Sequence, residues 1–358
     1  MKRYTVFALL TILLLLLFTA CMKKDVPMPE LIGLSVDSSN AHYWYVSGED
    51  LDSDGLIITA EFSNGSTREI HASDCTFDKP PFAPYGEKEV VVHYGDLAAR
   101  YPIYVCTSSK ETSIYTNYTV RKNENGTPVT LTAALVGENK PFVLILPGGA
   151  YTSAIYSGQE GAGYAEYIRN LGWNAFVLEY STKMQHPAPL EDISLALEII
   201  EQNREFFNVS MENYAVCGSS AGGHLAASWC TKDIGYPVYE KPRPSAAILV
   251  YPVISFLEKS DGETQKNLLG NESSDELKHL LSIEEHVDSD YPPTYLWVFV
   301  EDALKTNTEL MEKALDEAGV EHIARYFTGG RHGMGLAEGT EAEGWLNEAV
   351  AFWQKQID

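Results

Sequence analysis

The chain has 358 residues, enough for two or three domains and a sizeable core. It carries 26 Lys and Arg against 50 Asp and Glu, a formal net charge of −24. That balance disfavours nucleic acid and anionic membrane surfaces as partners and leaves solubility as its plain role.

The N-terminus reads as a targeting segment rather than as part of the fold. Lys2 and Arg3 form a basic start, and an apolar run follows over residues 6–20. Charge order and length are those of a signal peptide. The run is short for a spanning helix, which needs about 20 residues. Leu17, Phe18, Thr19 and Ala20 before Cys21 resemble the lipobox of bacterial lipoproteins, with Phe18 unusual at its position. The resemblance implies lipidation at Cys21, export to the bacterial cell envelope, and membrane contact only through that anchor. An uncleaved anchor or an ordinary secretory signal is the alternative. Residues 1–21 are therefore set apart.

Residues 27–106 read as β throughout. Runs at 43–46, 56–62 and 89–94 are rich in β-branched and aromatic residues, and Gly48, Gly55, Gly65, Gly86 and Gly95 punctuate them. That spacing predicts a small all-β sandwich. The stretches GEDLDSDGLIITAEFSNGSTREI and YGEKEVVVHYGDLAARYPIYV resemble bacterial Ig-like domains. In such proteins the module serves as a spacer or a surface-binding unit. Asp50, Asp52, Asp54, Gly55 and Glu61 match the spacing of an EF-hand calcium loop. The flanks read as strands, not helices, so the segment is taken as an acidic turn, with a bound Ca²⁺ left open. Cys75 and Cys106 fall in the same segment, and export would permit them to pair. No CxxC or Cys/His cluster with zinc spacing occurs, and no metal or organic cofactor is expected.

Residues 107–112 form a polar linker, and from 113 to 358 strands alternate with helices. Strands are expected at 142–146, 175–180, 214–217, 246–253, 294–300 and 322–327. Helices are expected at 161–172, 190–203 and 307–318. In the second of these Ile193, Ala196, Leu197 and Ile200 share one face. Such alternation predicts a mainly parallel sheet covered by helices on both faces, an α/β architecture. Residues 256–291 form a long polar insertion whose conformation the pattern does not reveal.

Gly218-Ser219-Ser220-Ala221-Gly222 reads G-x-S-x-G, the nucleophile elbow of α/β-hydrolases. A strand before it and a small-residue helix after it would set Ser220 at a sharp turn. The Ala221 amide would then lie at a helix N-terminus, where an oxyanion finds a donor. In this fold the acid and the histidine follow the serine along the chain. His332, in the glycine-rich stretch 328–335, is the base candidate. His224 lies on the helix after the serine, His186, His279 and His286 precede the acid, and His322 begins a strand. Asp302, just past the strand at 294–300, is the acid candidate, with Glu301 beside it as the alternative. Gly149 and Ala150, in the Pro-Gly-Gly-Ala turn after the strand at 142–146, supply the second oxyanion donor.

These blocks carry a family resemblance over about 240 residues. They are LILPGGAY from Leu144, HPAPLEDISLAL from His186, GSSAGGHLAA from Gly218, NLLG from Asn267, HVDSDYPPTYLW from His286, EDAL from Glu301 and GGRHGMGL from Gly329. Together they resemble bacterial α/β-hydrolases of the esterase/lipase group that includes acetyl-xylan and feruloyl esterase relatives. The resemblance implies a serine carboxylesterase with Ser220 as nucleophile, His332 as base, Asp302 as its partner, and a small-molecule or glycan ester as substrate. Two departures stand out. The oxyanion loop is Pro-Gly-Gly-Ala rather than His-Gly-Gly-Gly, and Ser181 stands where many relatives carry arginine. A peptidase of the prolyl-oligopeptidase type shares the order of the triad, but this sequence has no propeller domain. An inactive surface-binding scaffold would not need the complete set.

Overall fold

The structure is a computed structural model describing residues 29–41, 44–46, 50–80, 86–106, 115–122, 128–257 and 262–357. The expected signal segment with Cys21, and the linker at 107–112, lie outside the described residues. The chain falls into two compact units, the second formed almost entirely by Tyr104–Asp358.

Ahead of residue 107 the chain forms β1 (Leu31–Asp37), β2 (Trp44–Val46), β3 (Ile57–Phe62), β4 (Thr67–Ile70), β5 (Thr76–Asp78), β6 (Gly86–Tyr94) and β7 (Leu97–Cys106). They form two sheets, in the orders β1-β3-β4 and β2-β7-β6-β5. The β1/β3, β3/β4 and β5/β6 pairs are antiparallel. Along β3, Ile58 and Ala60 are buried while Ile57 and Glu61 are exposed, the two-residue period of a sheet with one dry face. Val90, Val92, Tyr101, Ile103 and Val105 bury the corresponding face of the other sheet. This is the Ig-like arrangement the spacing predicts.

The acidic loop leads into a strand. Asp52 turns its carboxylate onto the Asp54 amide at 2.9 Å, and Glu61 stands exposed on β3. Among the described residues no group of three or more His, Cys, Asp or Glu comes together to hold a metal. Cys75 is a free, half-buried thiol, so the pairing with Cys106 left open by the sequence is not made; the Cys106 side chain lies outside the described residues.

The second unit is built on one eight-stranded sheet in the order β15-β14-β13-β12-β10-β11-β9-β8. Its strands are β8 (Tyr115–Lys122), β9 (Pro128–Ala134), β10 (Phe142–Leu146), β11 (Asn174–Glu179), β12 (Ala215–Ser219), β13 (Ala246–Val250), β14 (Thr294–Phe299) and β15 (His322–Phe327). β10 to β15 run parallel, while β9 is antiparallel to both β11 and β8. Every residue of β10, β12, β13 and β14 is buried, which is why these strands read as continuous apolar runs rather than as alternation. Val143, Ile145, Ala215, Cys217, Ile248, Tyr295 and Trp297 share one core with the helices Tyr164–Asn170 and Trp345–Gln354. The intervening strand residues point the other way, where the helix Ser220–Trp229 packs on β10, β12 and β13.

Several boundaries differ from expectation, each for a local reason. The helix expected at 190–203 begins at Ala188, because proline at the first turn loses no hydrogen bond there. The helix expected at 161–172 is a wide turn, Gln159–Gly163, leading into Tyr164–Asn170. The strand expected at 246–253 stops at Val250, where Tyr251 takes a φ of +36°. Within the insertion at 256–291 the chain forms the helices Gly262–Leu269 and Asp275–Leu280. From β10 the chain passes to β11 on one side, and β12 takes the other side. That reversal opens a crevice beyond the carboxyl ends of β10 and β12, the place where open α/β sheets bind ligands.

Candidate active site

β12 ends extended at Ser219, with φ −111° and ψ 139°, and the next residue, Ser220, flips to a φ of +52° as the helix begins. A non-glycine residue held there stores about 1–3 kcal/mol, which persists only when the surroundings impose it. The surroundings are tight. A Cβ on Gly222 would lie 2.1 Å from the Leu146 carbonyl oxygen and 2.4 Å from that of Pro147. Only glycine lets the new helix pass this close to the end of β10. The turn lifts the Ser220 hydroxyl out of the sheet and into a cavity of about 700 Å³.

His332 and Asp302 meet this hydroxyl. Asp302 follows β14 and its side chain is 1 % exposed. One carboxylate oxygen accepts the Leu304 amide at 2.8 Å, and Oδ2 accepts from His332 Nδ1 at 2.8 Å. A carboxylate only accepts, so Nδ1 carries the imidazole proton and Nε2 is free to accept. Ser220 Oγ lies 2.9 Å from Nε2 and donates to it. Glu301, the alternative acid, is exposed and accepts the Gly329 amide at 3.2 Å. The geometry thus brings Ser220, His332 and Asp302 together and leaves Glu301 outside.

Four of the other candidate histidines have partners elsewhere. His224 is fully enclosed, its Nδ1 at 3.1 Å from the Tyr151 hydroxyl and its Nε2 at 2.8 Å from the Leu281 carbonyl. Burial pushes its pKa down to about 4, so the ring is neutral, with Nε2–H donating to Leu281. Burial likewise lowers His186. His279 pairs with Glu285 and His286 with Asp233, both at 2.7 Å. His322 Nδ1 donates to the Val320 carbonyl at 2.9 Å.

The predicted oxyanion donors flank the serine. Gly149 (φ +135°) and Ala150 (φ +53°) line the cavity, and Ala221 occupies the first turn of the helix that Ser220 begins. At Gly149 a Cβ would sit 2.2 Å from the Ser153 carbonyl oxygen, so this loop too is built around glycine. The helix start adds a positive dipole end beside Ser220. Asn267, on the helix Gly262–Leu269, donates to the Ala150 carbonyl at 2.9 Å and to Thr152 Oγ1 at 2.8 Å. Thr152 in turn donates to Glu263 at 2.8 Å. The insertion therefore ties down the loop predicted to supply the oxyanion donors.

Pattern reasoning missed this use of Asn267, and it missed Glu160 and Tyr251 entirely. Glu160 accepts the Gly148 amide at 2.8 Å and the Tyr251 hydroxyl at 2.5 Å. Tyr251 stacks edge-on with His332, ring centres 4.9 Å apart. Its phenol is pushed well above the usual range by burial and by the Glu160 charge. Asn267 opens the NLLG block, which marked it without saying what it touches. For Glu160 and Tyr251 no periodicity or spacing offers a signal.

Comparison with known proteins agrees with this architecture. A family model described as alpha/beta hydrolase fold matches residues 144–336, more than half of the chain. A model for the bacterial Ig-like domain (group 3) matches residues 43–105. Endo-1,4-beta-xylanase B of Butyrivibrio fibrisolvens is 33% identical over 217 residues, 57% of this chain and 34% of that protein. Acetylxylan esterase of Xylanibacter ruminicola is 28% identical over 222 residues, 59% of this chain and 45% of that protein. The matched stretch thus spans less than half the length of either curated relative. Among solved structures, an acetyl ester-xyloside bifunctional hydrolase from Caldicellulosiruptor lactoaceticus superposes with a TM-score of 0.60 at 29% identity. That match covers 70% of this chain and 97% of the other. With the matched region holding the elbow serine, the histidine and the aspartate in one crevice, the chain belongs to the alpha/beta-hydrolase fold family.

Proposed function

We propose that the protein is an exported serine carboxylesterase that removes small acyl groups, acetyl first among them, from glycan or related hydroxylated alcohols. The observation that carries the reading is the unbroken chain from Asp302 to His332 to Ser220, with contacts of 2.8 and 2.9 Å. His332 Nε2 takes the proton as Ser220 Oγ attacks the ester carbonyl. Asp302 holds the required tautomer and offsets the imidazolium charge. The backbone amides of Ala221 and of the Gly149–Ala150 turn stabilise the tetrahedral oxyanion. The imidazolium then protonates the leaving alkoxide, releasing the alcohol, and a water activated by the same nitrogen hydrolyses the acyl-enzyme. No step asks for a metal or an organic cofactor.

The acyl preference rests on the company the chain keeps: relatives named for acetylxylan and for acetyl ester-xyloside hydrolysis. The cavity supports a hydroxylated alcohol, since Thr152, Ser153, Gln159 and Glu263 line it beside Ile155. Feruloyl esters belong to the same proposal as a second acyl class. Export, and an anchor at Cys21, rest on the basic start and apolar run of the N-terminal segment.

Hydrolysis of p-nitrophenyl acetate by the wild type and by Ser220→Ala is the direct test. Turnover per folded site is expected to fall at least about a thousandfold in the variant. Unchanged turnover would remove Ser220 as nucleophile. A panel of acetyl, butyryl and feruloyl esters with acetylated xylan is expected to rank acetyl highest. Faster cleavage of a peptidyl anilide than of any ester would replace esterase with peptidase.

A further inference from the structure

Glu160 sits on the wide turn Gln159–Gly163, at the wall of the cavity. Its carboxylate joins two loops that lie far apart in sequence. Oε2 accepts the amide of Gly148, the residue that opens the oxyanion loop, at 2.8 Å. Oε1 accepts the hydroxyl of Tyr251 at 2.5 Å. The Tyr251 oxygen accepts in turn the amide of Gly335, at the end of the histidine loop, at 2.9 Å. The ring of Tyr251 supports that of His332 at an interplanar angle of 63°.

Three further observations show that this connection is built in. Tyr251 is fully buried and holds a φ of +36°, a conformation a bulky residue keeps only when its neighbours impose it. A Cβ on Gly148 would lie 2.6 Å from Glu160 Oε2 and 3.1 Å from the Ser220 Cβ, so carboxylate, loop and nucleophile interlock with no spare room. The phenol of Tyr251 stays protonated, because burial and the nearby carboxylate both oppose its ionisation. It therefore acts as a donor toward Glu160.

We propose that Glu160 is a positioning residue, whose carboxylate holds the oxyanion loop through Gly148 and the histidine loop through Tyr251 and Gly335 in one fixed relation. The proposal rests on the esterase reading of Ser220. Each oxygen of Glu160 accepts from a protein donor, and the proposed role runs through those two groups. Charge and symmetry both matter. A glutamine has one accepting oxygen and one donating nitrogen. Its oxygen can keep the Gly148 amide while its nitrogen faces Tyr251, but the Tyr251 oxygen already accepts the Gly335 amide, so the hydroxyl must turn its own proton away from Glu160 and the charged anchor of the histidine loop is lost.

The test compares Glu160→Gln, Tyr251→Phe and the double variant on p-nitrophenyl acetate. A fluorophosphonate that labels Ser220 counts the competent sites in each preparation. Displacing an oxyanion donor or the base by about 1 Å costs roughly a hundredfold. Each single variant is expected to lose roughly 30- to 100-fold in kcat per labelled site, with KM within about twofold. Because the two side chains act as one unit, the double variant is expected within about threefold of the worse single. Wild-type kcat per labelled site in the single variants, or a loss explained wholly by fewer labelled sites, overturns the proposal. Fully multiplicative losses overturn it too. Should Glu160→Gln fail to fold, Tyr251→Phe, which removes one oxygen, is read against the same criteria. Ser220→Ala retaining turnover would instead remove the esterase reading beneath it.

Discussion

At the scale of single residues, burial separates Asp302 from Glu301. They are adjacent, yet the Asp302 side chain is 1 % exposed and faces His332 while Glu301 is exposed to solvent. Sequence order left both candidates standing, since neighbouring residues after a strand are equally near its end. What separates them is the turn that points one inward, where Leu304 donates to the second Asp302 oxygen. Asp302→Asn is expected to lower kcat by about 10⁴ with little change in KM, because the amide turns a donor toward Nδ1 and favours the wrong tautomer. Glu301→Gln is expected to stay within about threefold of wild type. Steady-state kinetics on one ester reads both, and equal losses in the two variants would assign the acid role to neither.

At the scale of elements, the parts legible in the sequence were those with a strong local signature. The apolar runs of β10, β12 and β14, the G-x-S-x-G turn and the glycine-rich loop around His332 are set by their own residues. The insertion at 256–291 was not legible, because its helices are short and polar outside and owe their place to tertiary contacts such as Asn267 on Ala150. Glu160 was equally hidden, for its role depends on Gly148 and Tyr251 arriving from elsewhere in the chain. His224 shows what such a cross-link does. It ties the helix Ser220–Trp229 to the Leu281 carbonyl of the insertion and to Tyr151 of the Pro-Gly-Gly-Ala loop. Folding lowers its pKa from 6.5 to about 4. Above pH 6.5 both states hold it neutral and its contribution is complete. As pH falls from 6.5 toward about 4, the unfolded chain takes up a proton that the folded chain refuses, and stability drops. The loss amounts to about 3 kcal/mol at most. Urea midpoints at pH 7 and pH 4.5 are expected to differ more in the wild type than in His224→Gln, and equal pH dependence would show that His224 is not the responsible group.

At the scale of the whole molecule, two units with different grammar share one chain: antiparallel strands with a dry and a wet face, then a sheet buried on both sides. The acidity of the chain belongs to its surface, whereas the site uses only a few charges, each held by a named partner. Inside the second unit lies another consequence of burial on both sides. Cys217, on the strand that delivers the elbow, is fully enclosed, and Cys230 just beyond the elbow helix is 1 % exposed. Burial pushes the Cys217 thiol far up and the Cys230 thiol up to about 12. Neither forms thiolate in the native protein, and only thiolates react quickly with alkylating reagents. Burial and the neighbouring Asp74 raise the Cys75 thiol as well, but it is only half-buried, so among these three free cysteines it is expected to take up iodoacetamide first, with hydrolysis unaffected. Cys217 is expected to react only as fast as the central sheet opens, read by pulsed alkylation and peptide mass. Labelling of Cys217 as fast as that of Cys75 would contradict its enclosure. The thiol beneath the elbow serine is in effect a clock set inside the molecule, silent in the native protein and started only by unfolding.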